Sequence, residues 1–311
     1  MKKLILLFVL LFLASCNTEN TPKKNTDTGN IANSTPNVGV NNVGNTPQEN
    51  FNGSPNGGPY YHKIYFAREI DSVWSIGTNA IQEHASVPDL ILLEKNVGDF
   101  NKGDLITYFV DASGEGEKIG IMSSSDGGVT WSEKSNAKFS GIDDMIPVDP
   151  SIVQLETGSL RLYFYDISNY NSGENKFYVA KSDDGINFEL EQEVFSRNQV
   201  TDPEVIDFND LWYMYISQGQ KVLLATSEDG LNFEYYGEIT KECGVPGALV
   251  DNGVYVYCHN QNGINEYYSS GGYDFEFKKI IIKLPSGVYV IADSGPVLMD
   301  DGSKAMIIKE Q

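Results

Sequence analysis

Five segments of the chain repeat one arrangement of residues suited to acid–base chemistry. They read "VPDLILLE" from Val87, "DPSIVQLE" from Asp149, "DPEVIDF" from Asp202, "VPGALVDNG" from Val245 and "SGPVLMDDG" from Ser294. Asp89 follows Pro88, Asp149 precedes Pro150, Asp202 and Glu204 flank Pro203, and Asp293 stands just ahead of the fifth segment. Carboxylates crowded into one pocket push each other's pKa values apart, so that one is protonated while another is ionised near neutrality. One acid and one base in a shared pocket is what proton-transfer hydrolysis requires. Asp149, Asp89, Asp202 and Glu204 are the candidates for that work. An Asp-Pro pair at a strand entrance is also ordinary turn chemistry, with the carboxylate capping nearby amides, so each has a structural reading as well.

Whether these residues meet depends on the elements that carry them. After each segment comes a polar turn and a second apolar run: "DLITYFVD", "LRLYFYD", "LWYMYIS", "VYVYCHN" and "KAMIIKE". Continuous β-branched and aromatic runs bounded by Gly, Asn and Asp are what buried antiparallel strands look like. A second repeat alternates with the first. "SDDGINF" (Ser182 to Phe188) returns as "SEDGLNF" (Ser227 to Phe233), with relatives in "IMSSSDGGVTW" from Ile121 and "YYSSGGYDF" from Tyr267, and a shorter copy in "YFAREIDSVW" from Tyr65. In Ser-x-Asp-Gly the aspartate bonds its own turn's backbone and the glycine supplies a positive φ, so the string is hairpin chemistry on outer strands rather than catalysis.

The order of these hairpins implies a ring. The chain begins on an outer hairpin near Tyr65 to Trp74 and ends on an inner one, Ser294 to Lys309, so neither terminal half completes a four-stranded sheet alone. Joining them removes the free edges, as closed β architectures do. Spacings of 43 to 62 residues between Pro88, Pro150, Pro203, Pro246 and Gly295 suit one blade each. The expected fold is all-β, a five-bladed β-propeller closed by N- and C-terminal strands in one blade, with a helical turn over Ile76 to Ala85 at the rim. The first strand of every blade then lines a central channel, and the carboxylates above share a focus. His84, His259 and Asp293 are placed to contact a substrate there.

With these residues in hand, "VDPSIVQL", "TDPEVI", the blade count and the terminal closure resemble the five-bladed propeller glycosidases of the arabinanase, levansucrase and invertase superfamily, nearest to family 43, over about Lys63 to Lys309. The resemblance implies an aspartate base on the first inner strand, an aspartate tuning pKa and orientation on the second, and a glutamate acid on the third. Asp149 matches the second position. Asp202 stands where the glutamate is expected, with Glu204 two residues on. Val87 stands where the base is expected, with Asp89 on the other side of the proline. The implied function is hydrolysis of a glycosidic bond by paired carboxylates. The alternative is a non-catalytic propeller that binds a glycan or a protein. A sialidase needs an arginine cluster, and Arg68, Arg161 and Arg197 are the only arginines in the chain.

The ends carry a separate message. "MKKLILLFVLLFLAS" has two lysines before an apolar run too short for an ordinary membrane span, and it ends in Leu13, Ala14, Ser15, Cys16, which reads as a lipoprotein signal peptide over 1–15 with lipidation at Cys16. Buried acyl chains, at about 0.8 kcal/mol per methylene, would hold the protein to a membrane surface without spanning it. Residues 16–59 are rich in Asn, Thr, Pro and Gly and bury too little to order themselves; as a random coil of about 43 residues they would span roughly 35 Å. Residues 60–311 form the propeller domain. The expected location is the cell envelope, at an outer membrane or cell surface.

The formal charge of −21 argues against nucleic acid as a partner, and carbohydrate with a membrane anchor remains the expected pairing for a monomer. Cys243 and Cys258 are free to form a disulfide in an oxidising compartment. No zinc-type spacing, Walker loop or nucleophile elbow appears. A Ca2+ or Na+ ion would suit an acidic channel, but no loop spells out its ligands, and no cofactor is expected.

Overall fold

The computed structural model describes residues 58–168 and 173–311. The signal segment, Cys16 and the tether up to residue 57 lie outside the described residues. Blade 5 opens the chain with β1 (Lys63–Ile70), β2 (Val73–Ile76) and the short β3 (Gln82–Glu83). Blade 1 is β4 (Ala85–Leu92), β5 (Leu105–Asp111), β6 (Lys118–Ser124) and β7 (Ser135–Asn136). Blade 2 takes β8 (Lys138–Ser140) on its outer edge, then β9 (Pro147–Gln154), β10 (Leu160–Asp166), β11 (Glu174–Ser182) and β12 (Asn187–Asn198). Blade 3 is β13 (Thr201–Phe208), β14 (Leu211–Ser217), β15 (Val222–Ser227) and β16 (Glu234–Thr240). Blade 4 is β17 (Gly244–Val250), β18 (Val254–Asn260), β19 (Gly263–Ser269) and β20 (Glu276–Lys283). The chain returns to blade 5 with β21 (Ile291–Leu298) and β22 (Lys304–Glu310).

Closure is direct. β1 pairs antiparallel with β22, Ala67 opposite Met306 and Tyr65 opposite Ile308, so blade 5 has the order β2-β1-β22-β21. The expected helical turn over Ile76 to Ala85 does not form. That segment runs extended, and Gln82 and Glu83 pair back onto Ile64 and Lys63, because an unpaired flank of β1 offers backbone partners that an isolated turn cannot.

Five apolar clusters fill the five interfaces between neighbouring blades. Phe164 and Phe188 of blade 2 pack with Ile106 and Tyr108 of blade 1, for example, and Met306 and Ile308 of blade 5 pack with Tyr257 of blade 4. The repeated Ser-x-Asp-Gly turns seal the same interfaces at the rim. In "SDDGINF" the Asp184 carboxylate accepts the amides of Ile186 and Asn187, and the Ser182 hydroxyl accepts that of Gly185. A buried tyrosine from the preceding blade then donates to the turn glycine's carbonyl: Tyr108 to Gly185, Tyr163 to Gly230 and Tyr215 to Gly272, at 2.8 to 3.1 Å. The repeated string therefore closes its hairpin and hands the preceding blade a fixed acceptor.

Cys243 and Cys258 are joined as a disulfide, Cα to Cα 5.5 Å, tying the entrance of β17 to the end of β18 inside the core between blades 3 and 4. A cross-link across 15 residues of chain stabilises by about 3 kcal/mol. The double substitution Cys243→Ser/Cys258→Ser should lower the unfolding free energy by about that amount. Urea unfolding measures it, and an unchanged midpoint would show that the cross-link contributes nothing.

Candidate functional site

Each inner strand has one residue in the left-handed region at its second or third position: Val87, Asp149, Asp202, Val245 and Asp293, at φ between 42° and 52°. At the same place the pairing of each inner strand with its neighbour shifts register. An extra residue bulges out of the ladder there, and four of the five are followed by a proline, which has no amide to lose from the ladder. Aspartate adopts such a backbone readily, whereas valine does so at a steric cost, so the ring geometry prevails over local preference at Val87 and Val245.

These bulged residues converge. Val87, Asp149, Asp202, Val245 and Asp293 all line one cavity of about 320 Å³ at the end of the channel where the inner strands begin, together with His62, His259 and Lys309. Asp149 and Asp202 come from neighbouring blades 2 and 3. The Thr201 hydroxyl donates to Asp202 Oδ2 at 2.5 Å. Asp293 and Lys309, both buried, form an ion pair at 2.5 Å. His62 Nδ1 lies 2.9 Å from the Ser86 hydroxyl. Burial pushes His62 down to about 3, the Lys309 charge adding to the effect, and burial likewise takes His259 down to about 4. Both imidazoles are therefore neutral at physiological pH, and Lys309 is the cation of this wall. Among the described residues, no group of three or more His, Cys, Asp or Glu side chains is arranged to hold a metal ion.

Asp89 and Glu204 are absent from the lining of this cavity, although with Asp202 and Asp293 they line a small void of about 20 Å³ beneath it. They sit two residues beyond the bulge, on the far side of the proline ring, and line an opening at the opposite end of the axis. Each reaches across to the next blade: Asp89 Oδ2 accepts the Ile152 amide at 2.7 Å and Glu204 Oε1 accepts the Ala248 amide at 2.9 Å. Ser151, at the matching position of blade 2, accepts the Val205 amide at 2.9 Å. The two remaining equivalents are glycines because the neighbouring backbone leaves no room: a Cβ on Gly247 would lie 1.7 Å from the Ser294 carbonyl oxygen, and one on Gly295 2.7 Å from Asp89 Cα. Alternation along a regular strand puts residues i and i+2 on one face, but the bulge separates Asp202 from Glu204 along the axis.

His84 lies outside the lining of the 320 Å³ cavity. Its Nδ1 lies 2.5 Å from the Tyr60 carbonyl oxygen and its ring stacks on Tyr60 at 4.0 Å. His259 and Asp293 do line the cavity. Sequence reasoning passed over His62 and Lys309, since neither belongs to a repeated segment start. Lys309 does face the first residues of β21 across the ladder, opposite Ala292, a register set within the C-terminal hairpin itself.

No protein-family model matches the chain, and no curated protein sequence does. Solved structures do. A family 117 glycoside hydrolase of the marine bacterium Zobellia galactanivorans is similar over 81% of this chain and 91% of its own, at 13% identity and a TM-score of 0.51. A GH43_1 enzyme from Xanthomonas citri, complexed with xylotriose, is similar over 73% of this chain and 88% of its own, at 14% identity and a TM-score of 0.56. An α-L-arabinanase of Penicillium chrysogenum, complexed with arabinobiose, covers 84% of this chain and 87% of its own, at 16% identity and a TM-score of 0.53. The chain thus has the five-bladed β-propeller fold of these glycoside hydrolases.

Proposed function

We propose that the axial cavity binds carbohydrate and that Asp149 and Asp202 are the carboxylates that act on a glycosidic bond. The observation that carries this reading is the convergence of Asp149, Asp202 and Asp293 from three inner strands on one 320 Å³ cavity. Hydrolysis of a glycoside needs two carboxyl groups flanking the bond, one giving a proton to the leaving oxygen and the other activating water or attacking the sugar. Asp149 and Asp202 supply that pair from adjacent blades. The Asp293–Lys309 pair gives the opposite wall a fixed dipole for sugar hydroxyls. His62 and His259 line the same wall as neutral imidazoles, His62 held through its Nδ1 by the Ser86 hydroxyl. The likeness to enzymes whose structures hold xylotriose and arabinobiose supports pentose oligosaccharides as the first to try.

A second reading has its own observation. Val87 occupies the bulge where the resemblance places the base, and a valine there favours a propeller that holds a glycan without cleaving it. One experiment separates the two: arabinan, fructan and xylan oligosaccharides are incubated with wild type and Asp202→Asn, and product and binding are both followed. Turnover that disappears in Asp202→Asn supports hydrolysis. Binding by wild type without turnover, together with turnover gained in Val87→Asp, supports the binding module. Neither binding nor turnover on any of them would overturn the carbohydrate reading.

We infer also that Cys16 carries the acyl chains that anchor the protein in the cell envelope, in keeping with the lysines, apolar run and small residues ahead of it. Cys16→Ser should move the protein from the membrane to the soluble fraction. Persistence in washed membranes would sink the inference.

A further inference from the structure

We propose that the ligand of the axial cavity is an oligosaccharide, and that its second unit lies in an open groove at the edge of the cavity, stacked on Tyr289. This rests on the carbohydrate reading above and extends it to the class of substrate. The cavity, at 320 Å³, is at the small end of the roughly 300–1,000 Å³ usual for ligand sites. It does not end in a wall. Gln220 and His259 line both the cavity and a second, open depression of about 850 Å³ that continues over the β18–β19 hairpin to the segment ahead of β21.

The chemistry of that groove suits a sugar ring. One side is Tyr289, 44% exposed, an amphipathic face on which the C–H side of a sugar can stack. Gln220 and Gln261 present exposed amides, each able to donate to and accept from hydroxyls. The groove is also built rather than loose. Tyr289 and Val290 donate their amides to the Gln311 carbonyl at 2.7 and 3.3 Å, and Gln311 donates back to Val290, so the tyrosine's backbone is strapped to the end of the chain. On the facing side, Asn260 donates to the Glu242 carbonyl and accepts the Asn262 amide, fixing the hairpin that carries Gln261. A surface already held in place loses little entropy when a ligand settles on it. A ligand filling only the cavity would leave this aromatic and amide surface in contact with water.

The test uses hydrolysis-resistant, S-linked di- and trisaccharides of arabinose and xylose, with the two monosaccharides, and measures dissociation constants by calorimetry. Wild type should bind the oligosaccharides of one series at least tenfold more tightly than its monosaccharide. Tyr289→Ala should lose most of that preference, fivefold or more in the ratio of the two constants. Tyr236→Ala, an exposed tyrosine on the outer strand β16, serves as the control and should keep the wild-type ratio. A full preference in Tyr289→Ala, or no preference in wild type, overturns the groove and leaves the carbohydrate reading standing. Binding of no sugar of any length overturns both.

Discussion

Asp89→Ala should be among the most destabilising substitutions in the molecule, with each buried amide left without an acceptor costing about 1–3 kcal/mol. Two amides lose their partner: Leu90 on the same strand, at 2.7 Å, and Ile152 on the next blade, also at 2.7 Å. Both lie near the axis, where the inner strands of blades 1 and 2 touch. Thermal or urea unfolding measures the loss, and a variant within about 0.5 kcal/mol of wild type, the range of ordinary surface substitutions, would show that the axial bonds are incidental.

The same residue makes stability depend on pH in a direction unusual for a carboxylate. Burial pushes Asp89 up to about 7, against the pull of the Ile152 and Leu90 amides, and burial with the Asp89 charge raises Glu204 as well. Between about pH 4 and 7 the folded protein keeps a proton that the unfolded chain has released. Stability from this source is present at low pH and falls as pH rises through the window, by up to about 1.4 kcal/mol per pH unit for one proton. His62 and His259 act in the opposite sense. They are neutral in the fold down to about 3 and 4, so their contribution is present above about 6.5 and is lost as pH falls. The two slopes oppose each other in wild type. Asp89→Asn isolates the acid, because asparagine imitates the protonated form, and its stability relative to wild type should grow from pH 5 to about pH 7 and level off above it. A difference that stays flat would mean that Asp89 is ionised throughout.

Asp149→Asn should reduce kcat/KM on a cleaved oligosaccharide by about 10²- to 10⁴-fold, the usual worth of a positioned acid or base. Its fold should be untouched, since Asn tolerates the left-handed backbone at φ 51° as well as Asp does. That separation of activity from stability is the useful part of the experiment. Steady-state rates and the unfolding midpoint are measured on the same preparation. Wild-type rates in the variant would remove Asp149 from the mechanism, and a lowered midpoint would assign it to the ring's structure instead.

The sequence by itself determined the architecture. Strand runs, turn glycines and the order of hairpins are local signals repeated five times, and a terminal half-blade at each end of the domain leaves closure as the way to pair every edge. The Ser-x-Asp-Gly turns were readable as hairpin chemistry for the same reason, although their second task, receiving a tyrosine hydroxyl from the neighbouring blade, needed the neighbour. The bulged Asp149, Asp202 and Asp293 were legible as a convergent set because equivalent places on equivalent strands must meet at the axis.

What only the tertiary structure decided is which end of the axis each carboxylate serves. A left-handed residue at each bulge separates Asp202 from Glu204 and leaves Asp89 bonded to the Ile152 amide, and no strand-alternation argument contains that break. The cavity's charge balance was likewise hidden. Lys309 reaches Asp293 across the β21–β22 hairpin, and His62 reaches Ser86 where the chain folds back on β1, contacts that the repeated segments do not spell out. Side-chain direction at a bulge and the contacts of a buried side chain both depend on the strands packed around it, so the chain's own order of letters cannot state them.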